Sequence, residues 1–159
     1  MKQSWGKLGL KYGIESFAAF LAVLFVILVF MQVIFRYLLK SPLQWSEELI
    51  VLLFQWTIFL GAAVAVKHDM HFRLDFLTRH LSARTRFYTD ILASLVMIAI
   101  AATMVVKGLA MVWLTRNATF ATIKMSRGVS YITIPISGVL MIIYLIPILR
   151  NQIRQRGKA

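Results

Sequence analysis

The sequence predicts an all-α integral membrane protein with four transmembrane helices and a short amphipathic interfacial helix between the second and third. Three observations lead there. Of 159 residues, 60% are hydrophobic and 15% charged, whereas a soluble chain sits near about 45–50% apolar and about 25% charged. The mean hydropathy is +0.76, and the apolar residues gather in four long runs. Soluble enzyme, secreted mini-protein and disordered tail are excluded from the start. There is no cysteine, which removes disulfides, thiolate metal sites and cysteine nucleophiles. The 18 Lys and Arg against 6 Asp and Glu give a net charge of +12. On a soluble chain that would point to nucleic acid. With so much apolar sequence the membrane is the simpler explanation, and no nucleic-acid partner is expected.

The first run, Phe17–Phe35, has 19 residues with one polar member, Gln32. Leu49–Val66 has 18 residues and no charge, and Val129–Leu149 has 21 uncharged residues. Ile91–Val106 has 16 uncharged residues and extends to Phe87 and Trp113 if Asp90 and Lys107 snorkel. About 20 apolar residues cross the roughly 30 Å hydrocarbon core. Helices are therefore expected at about 14–38, 42–66, 83–113 and 130–150, as a single membrane domain. A cleaved signal peptide is not expected, because the first run is too long and lacks a small-residue cleavage site. Tyr12 and Tyr37, Tyr88 and Trp113, and Trp45 and Tyr131 sit where an interfacial aromatic belt belongs. The two tails and the second connection carry 12 of the 18 bases. By the positive-inside rule both termini are expected in the cytoplasm.

The connection between the first two helices is the most informative stretch. Ser41-Pro42-Leu43-Gln44 reads as a helix start, with serine as N-cap, proline at the first helical position and glutamine three residues after the cap. The first helix must then turn at about residues 38–41, making a tight antiparallel hairpin. That fold brings Arg36 level with about residue 45, within reach of Glu47 or Glu48, with Gln32 one turn deeper. Successive residues on a helix lie 100° apart, so the two glutamates cannot both face the first helix. Glu48 shares a stripe with Gln44 and Gln55, beside a second stripe of Trp45, Leu49, Leu52 and Trp56. A charge at the centre of a span costs roughly 2.5–3.5 kcal/mol, and even near the ends these groups want partners. Gln32, Arg36, Gln44, Trp45, Glu47, Glu48, Gln55 and Trp56 are therefore either locks on the hairpin or the face that meets another membrane protein. A proton or substrate relay is disfavoured, since no ionisable residue lies deep in the remaining spans.

The second connection carries all three histidines, His68, His71 and His80, with Asp69 and Asp75 nearby. No zinc-ligand spacing matches, and no metal site is expected. Met70, Leu74, Leu77 and Leu81 instead recur at helical spacing with Arg73 and Arg84 beside them. This is the pattern of a short helix lying on anionic phospholipid, with Ser82 capping the third span. Haem is not expected, because the spans hold no histidine. Nucleophile elbows, phosphate loops and paired catalytic carboxylates are absent from the sequence, so no enzyme activity and no cofactor are expected. The third connection, Trp113–Gly128, is rich in hydroxyls and bases. It would either hydrogen-bond itself or touch an external partner. Pro135 and Pro147 bracket the last span, where Ser137-Gly138 is small enough for close helix contact.

In these features the chain resembles the small membrane subunit, or Q subunit, of tripartite ATP-independent periplasmic (TRAP) transporters. The resemblance rests on the ordered set Gln32…Arg36-Tyr37, Trp45-Ser46-Glu47-Glu48, Trp56…Gly61-Ala62-Ala63, the basic link Lys67–Leu77, and Ile134-Pro135-Ile136-Ser137-Gly138. It implies a non-catalytic subunit of the bacterial inner membrane in a sodium-coupled organic-acid uptake system. The implied partners are a large multi-span permease, which binds substrate and sodium, and a periplasmic substrate-binding protein. The small subunit would scaffold the permease and help receive the binding protein. A different class remains as the alternative: a self-sufficient four-helix exporter working as a homo-oligomer. Such exporters place a carboxylate in mid-span, whereas Glu15 lies at the very start of the first helix. A membrane anchor for a redox enzyme is disfavoured by the lack of in-span histidines.

Overall fold

The computed structural model describes the backbone of residues 5–78 and 83–156, and the side chains of these except at 5–12, 69–78, 83–84, 86–87, 151 and 155–156. The described backbone is helical apart from its connections. The helices are α1 (Trp5–Tyr37), α2 (Gln44–Thr78), α3 (Ala83–Thr115), the short α4 (Gly128–Tyr131) and α5 (Thr133–Arg156). Four stretches are long and apolar enough to cross a membrane: Gly13–Tyr37, Gln44–His68, Tyr88–Thr115 and Gly128–Arg154. Each has 25 to 28 residues, or about 38–42 Å at 1.5 Å per residue, enough to cross with some tilt.

Three features differ from the sequence-based expectation, two of them at the ends of α2. The helix start expected at Pro42, with Ser41 as its cap, falls two residues later, at Gln44. Lys40 adopts a left-handed conformation with φ 50°, and the Ser41 N–H turns back to the Phe35 carbonyl at 3.0 Å. Ser41 therefore helps to close α1. The Ser46 N–H and hydroxyl both donate to the Leu43 carbonyl, at 3.2 and 2.7 Å, which fixes the first turn of α2. The second difference is that a separate interfacial helix between the second and third spans is not shown. The sequence has neither glycine nor proline between Val66 and Thr78, and the backbone continues α2 to Thr78. The side chains of Met70, Arg73, Leu74, Leu77 and Arg84 lie outside the described residues, as do Leu81 and the Ser82 cap.

The chain divides into two compact units. The first comprises the residues up to Gly61 together with Ala110–Thr133. Here α1 runs antiparallel to the first half of α2. Leu21 and Leu28, seven residues apart, and Leu53 and Leu60, also seven apart, are buried, the spacing of a left-handed two-helix seam. Phe25 packs on Phe54 with ring centroids 5.6 Å apart, and Phe17 meets Trp56 edge-on at 6.5 Å. Pro135 has no N–H to offer the Tyr131 carbonyl, and at that point the helix divides into α4 and α5.

The second unit comprises Ala62–Leu109 and the residues from Ile134 onward. Val66 and Leu145 form its buried centre, with Met97, Ile98, Met141, Tyr144 and Ile148 packed around them. On α3, Ser94, Ala101 and Gly108 are buried at intervals of seven. They face α5, where a Cβ at Gly138 would lie 2.8 Å from the Ala101 carbonyl oxygen and 2.9 Å from Val105 Cγ2. Ser94 also donates to Gln152 Oε1 at 3.0 Å. Small residues thus let the two backbones approach, as membrane helices commonly do. Pro147 does not end the last helix but lies inside α5.

Candidate functional site

The polar residues of the first unit converge where α1 ends, α2 begins and the 116–127 connection folds over them. Arg36, in the last turn of α1, donates to Glu47 Oε1 at 2.6 Å. Gln32, one turn earlier, donates to the same oxygen at 3.4 Å. Both partners of the ion pair are about half exposed, 50% and 56%. Water or headgroups can therefore screen it, and its worth lies in the range of about 0–1 kcal/mol. Of the two glutamates open to Arg36 on sequence grounds, Glu47 is the one that pairs.

Glu48, one residue on and 100° round the helix, has a different partner. Its carboxylate accepts three consecutive backbone N–H groups: Ala121 at 2.7 Å, Thr122 at 3.0 Å and Ile123 at 2.9 Å. Successive N–H groups pointing into one concavity form a nest, a ready anion site. In this chain the anion filling it is a side chain of the same chain. The connection that bears the nest is itself ordered. Phe120 N–H bonds Met125 O at 3.0 Å, and Arg127 N–H bonds Ala118 O at 2.8 Å. The Ser126 hydroxyl donates to Arg116 O at 2.7 Å and accepts from the Gly128 N–H at 3.1 Å. The connection thus hydrogen-bonds itself, as one of the two expectations for it held.

A cavity of about 400 Å³ lies between these parts, lined by Gln32, Arg36, Gln44, Glu47, Glu48 and Thr122 among others. Five of the eight residues singled out from sequence therefore come together at one place. The other three do not. Trp45 flanks the site and is 39% exposed. Trp56 lies deeper, and its indole N–H donates to the Val129 carbonyl at 3.1 Å, which ties α2 to the start of α4. Gln55 Oε1 is buried without a hydrogen-bond partner among the described residues. The N–H groups of 121–123 and the Val129 carbonyl leave no direct sign in the sequence, because backbone groups are the same at every residue. Among the described residues no cluster of three or more His, Asp or Glu side chains could hold a metal. The side chains of His71 and Asp69 and Asp75, and the whole of His80, fall outside them.

Buried helix-packing residues, a satisfied polar hairpin and four membrane-length apolar stretches define a polytopic membrane protein whose polar groups hold its own segments together. Residues 25–155 match the family model described as "Tripartite ATP-independent periplasmic transporters, DctQ component". The chain belongs to this family of TRAP transporter small permease subunits, which are transport components of the inner membrane and not enzymes. It is 29% identical over 109 residues to the sialic acid TRAP transporter small permease protein SiaQ of Vibrio cholerae, covering 67% of this chain and 62% of that one. It is 27% identical over 150 residues to the isethionate TRAP transporter permease protein DctMQ of Oleidesulfovibrio alaskensis, covering 89% of this chain and 23% of the relative. A putative TRAP transporter small permease protein of Haemophilus influenzae is 29% identical over 133 residues, covering 80% of each. The chain thus spans less than two thirds of the length of the first two of these relatives.

Proposed function

We propose that this chain is the non-catalytic small subunit of a sodium-coupled TRAP transporter for organic acids. It scaffolds a large permease in the inner membrane, and substrate and sodium bind in that permease. It also helps a periplasmic binding protein to dock. The observation that carries this reading is the alignment of most of the chain with less than a quarter of the isethionate permease protein DctMQ. In that relative, a segment like this chain is covalently joined to a longer permease. Sialic acid and isethionate in the names of the relatives are both organic acids, which supports the substrate class.

Two further features favour a scaffold. Phe20, Val23, Ile27, Phe30 and Ile34 recur on α1 at spacings of three and four and are 47–66% exposed, giving a bulky apolar face for lipid or for another helix. The ionisable groups Arg36, Glu47 and Glu48 are engaged within the chain, a use suited to holding shape. The charge distribution supports cytoplasmic termini, with the basic tails and the second connection against anionic inner-leaflet lipid. The test is affinity purification of the tagged chain from its native membrane in mild detergent. A large multi-span permease should co-purify at a fixed ratio. Recovery of the chain alone, or only as a homo-oligomer, would count against the scaffold and favour the exporter.

A further inference from the structure

Lys107 stands deeper in a membrane-length stretch than any other charged residue of the chain. The stretch Tyr88–Thr115 has 28 residues, and its midpoint falls between Ala101 and Ala102. Lys107 is five to six residues from that midpoint, or about 8 Å at 1.5 Å per residue. The hydrocarbon core extends roughly 15 Å either side of its centre. Arg36, Lys67 and Arg150 lie within the last five residues of their stretches, and Glu15, Glu47, Glu48 and Asp90 within the first five.

The Lys107 side chain is exposed on the second unit, and it has no ion pair, hydrogen bond or ring contact among the described residues. Gly108, the next residue, is taken up by α5, where a Cβ would lie 2.7 Å from Pro135 Cδ. A helix turns 100° per residue, so Lys107 looks to one side of that contact. Snorkelling serves this lysine poorly. The nearer headgroups lie past the C-terminal end of α3, whereas Cα–Cβ bonds in a helix tilt toward the N-terminus, here toward the bilayer centre. An ammonium held at such depth without a counter-charge is costly, and groups of this kind pair or face protein.

The chain itself offers no match. One turn toward the centre, the Thr103 hydroxyl donates to the Ala99 carbonyl at 2.9 Å and brings no charge. A second copy would not supply a carboxylate either. Glu47 and Glu48 are engaged by Arg36 and by the 121–123 N–H groups. Glu15 and Asp90 are the third residues of their stretches, and Asp69 and Asp75 lie beyond theirs. Ala99 and Thr103, on the Lys107 face, are exposed and small, so a helix of another protein can come close there.

We infer that Lys107 pairs inside the membrane with an Asp or Glu side chain on a helix of the large permease, which lies along the Ala99–Lys107 face of α3. The inference rests on the proposed function, which supplies the partner. The face and the charge come from this chain: a cation at that depth is out of easy reach of water and phosphate, so a carboxylate is its counterpart.

The experiment uses the tagged chain with its co-purified permease in mild detergent and native lipid. Dicyclohexylcarbodiimide, an apolar reagent that enters the hydrocarbon region, condenses an amine and a carboxyl group in contact to an amide and takes up the water itself. It should join Lys107 to one Asp or Glu of the permease, read by mass spectrometry, and Lys107→Gln should abolish the product. Lys107→Glu should lower the permease recovered per tagged chain by about three- to tenfold. Lys107→Arg should hold the ratio, and exchange of the cross-linked permease carboxylate for lysine should restore it to the Lys107→Glu chain. An intact complex that yields no Lys107 cross-link to the permease overturns the inference. So does a cross-link to a second copy of this chain. A Lys107→Glu chain that retains the permease as well as wild type also overturns it, since the lysine would then be serving headgroups. A wild-type chain that recovers no permease sinks the proposed function itself, and the inference with it.

Discussion

Glu47 and Glu48 are adjacent in sequence and serve different segments of the chain. Glu47 holds Arg36 of α1 at 2.6 Å, and Glu48 receives the backbone N–H of Ala121, 73 residues away, at 2.7 Å. The 100° step of the helix makes this division possible. One pair of side chains thus ties α1, α2 and the 116–127 connection together at a single end of the first unit. Substitutions at six positions probe this arrangement and the helix packing of the two units.

Glu48→Gln keeps the size of the side chain but replaces one acceptor oxygen with an NH₂ group that faces N–H donors. The connection should loosen while the hairpin persists. Amide hydrogen exchange at 121–123 is expected to quicken by on the order of tenfold, with exchange in the Phe25–Phe54 region unchanged. Equal quickening in both places would show that Glu48 supports the helix pair as well.

The Arg36–Glu47 pair is half exposed at both ends, so a double-mutant cycle with Arg36→Ala and Glu47→Ala should give a coupling of about 0.5–1 kcal/mol in detergent. A coupling above about 3 kcal/mol is the range of a desolvated pair, and would mean that the site is closed off when assembled.

Gly138 and Gly61 offer a matched comparison. A Cβ at Gly138 meets the Ala101 carbonyl oxygen at 2.8 Å, whereas a Cβ at Gly61 meets nothing within 4 Å. Gly138→Ala should destabilise by about 1–3 kcal/mol, since backbone cannot step aside as a side chain can. Gly61→Ala should be neutral or stabilise by up to about 1 kcal/mol. Thermal unfolding in detergent reads both. Equal behaviour would contradict close packing of α3 on α5.

Trp56→Phe keeps an aromatic ring beside Phe17 but removes the donor to the Val129 carbonyl at 3.1 Å. The expected cost is about 1 kcal/mol in chemical unfolding, with helix content unchanged by circular dichroism.

Much of this was legible in the sequence, for definite reasons. A span needs many apolar residues in a row, so composition alone marks Phe17–Phe35 and its three counterparts. Arg36 and the two glutamates stood out because charges near a span need partners. The choice of Glu47 over Glu48 turns on a few degrees of helix rotation, and that rotation depends on where α2 starts. That start lies later than the cap chemistry of Ser41 predicts, because Ser41 lends its N–H to closing α1. The separate interfacial helix expected between the second and third spans is not shown, for the converse reason. Its amphipathic spacing is compatible with a continued helix, and no breaker precedes it. The Glu48 nest was invisible, because its donors are backbone groups far away in sequence.

The most direct test of the central claim, that this chain is a scaffold and not a transporter by itself, is uptake into liposomes under an inward sodium gradient. The chain alone is expected to give no uptake above empty vesicles, with transport restored only when the co-purified permease and binding protein are both present. Sodium-driven uptake by the lone chain would contradict it.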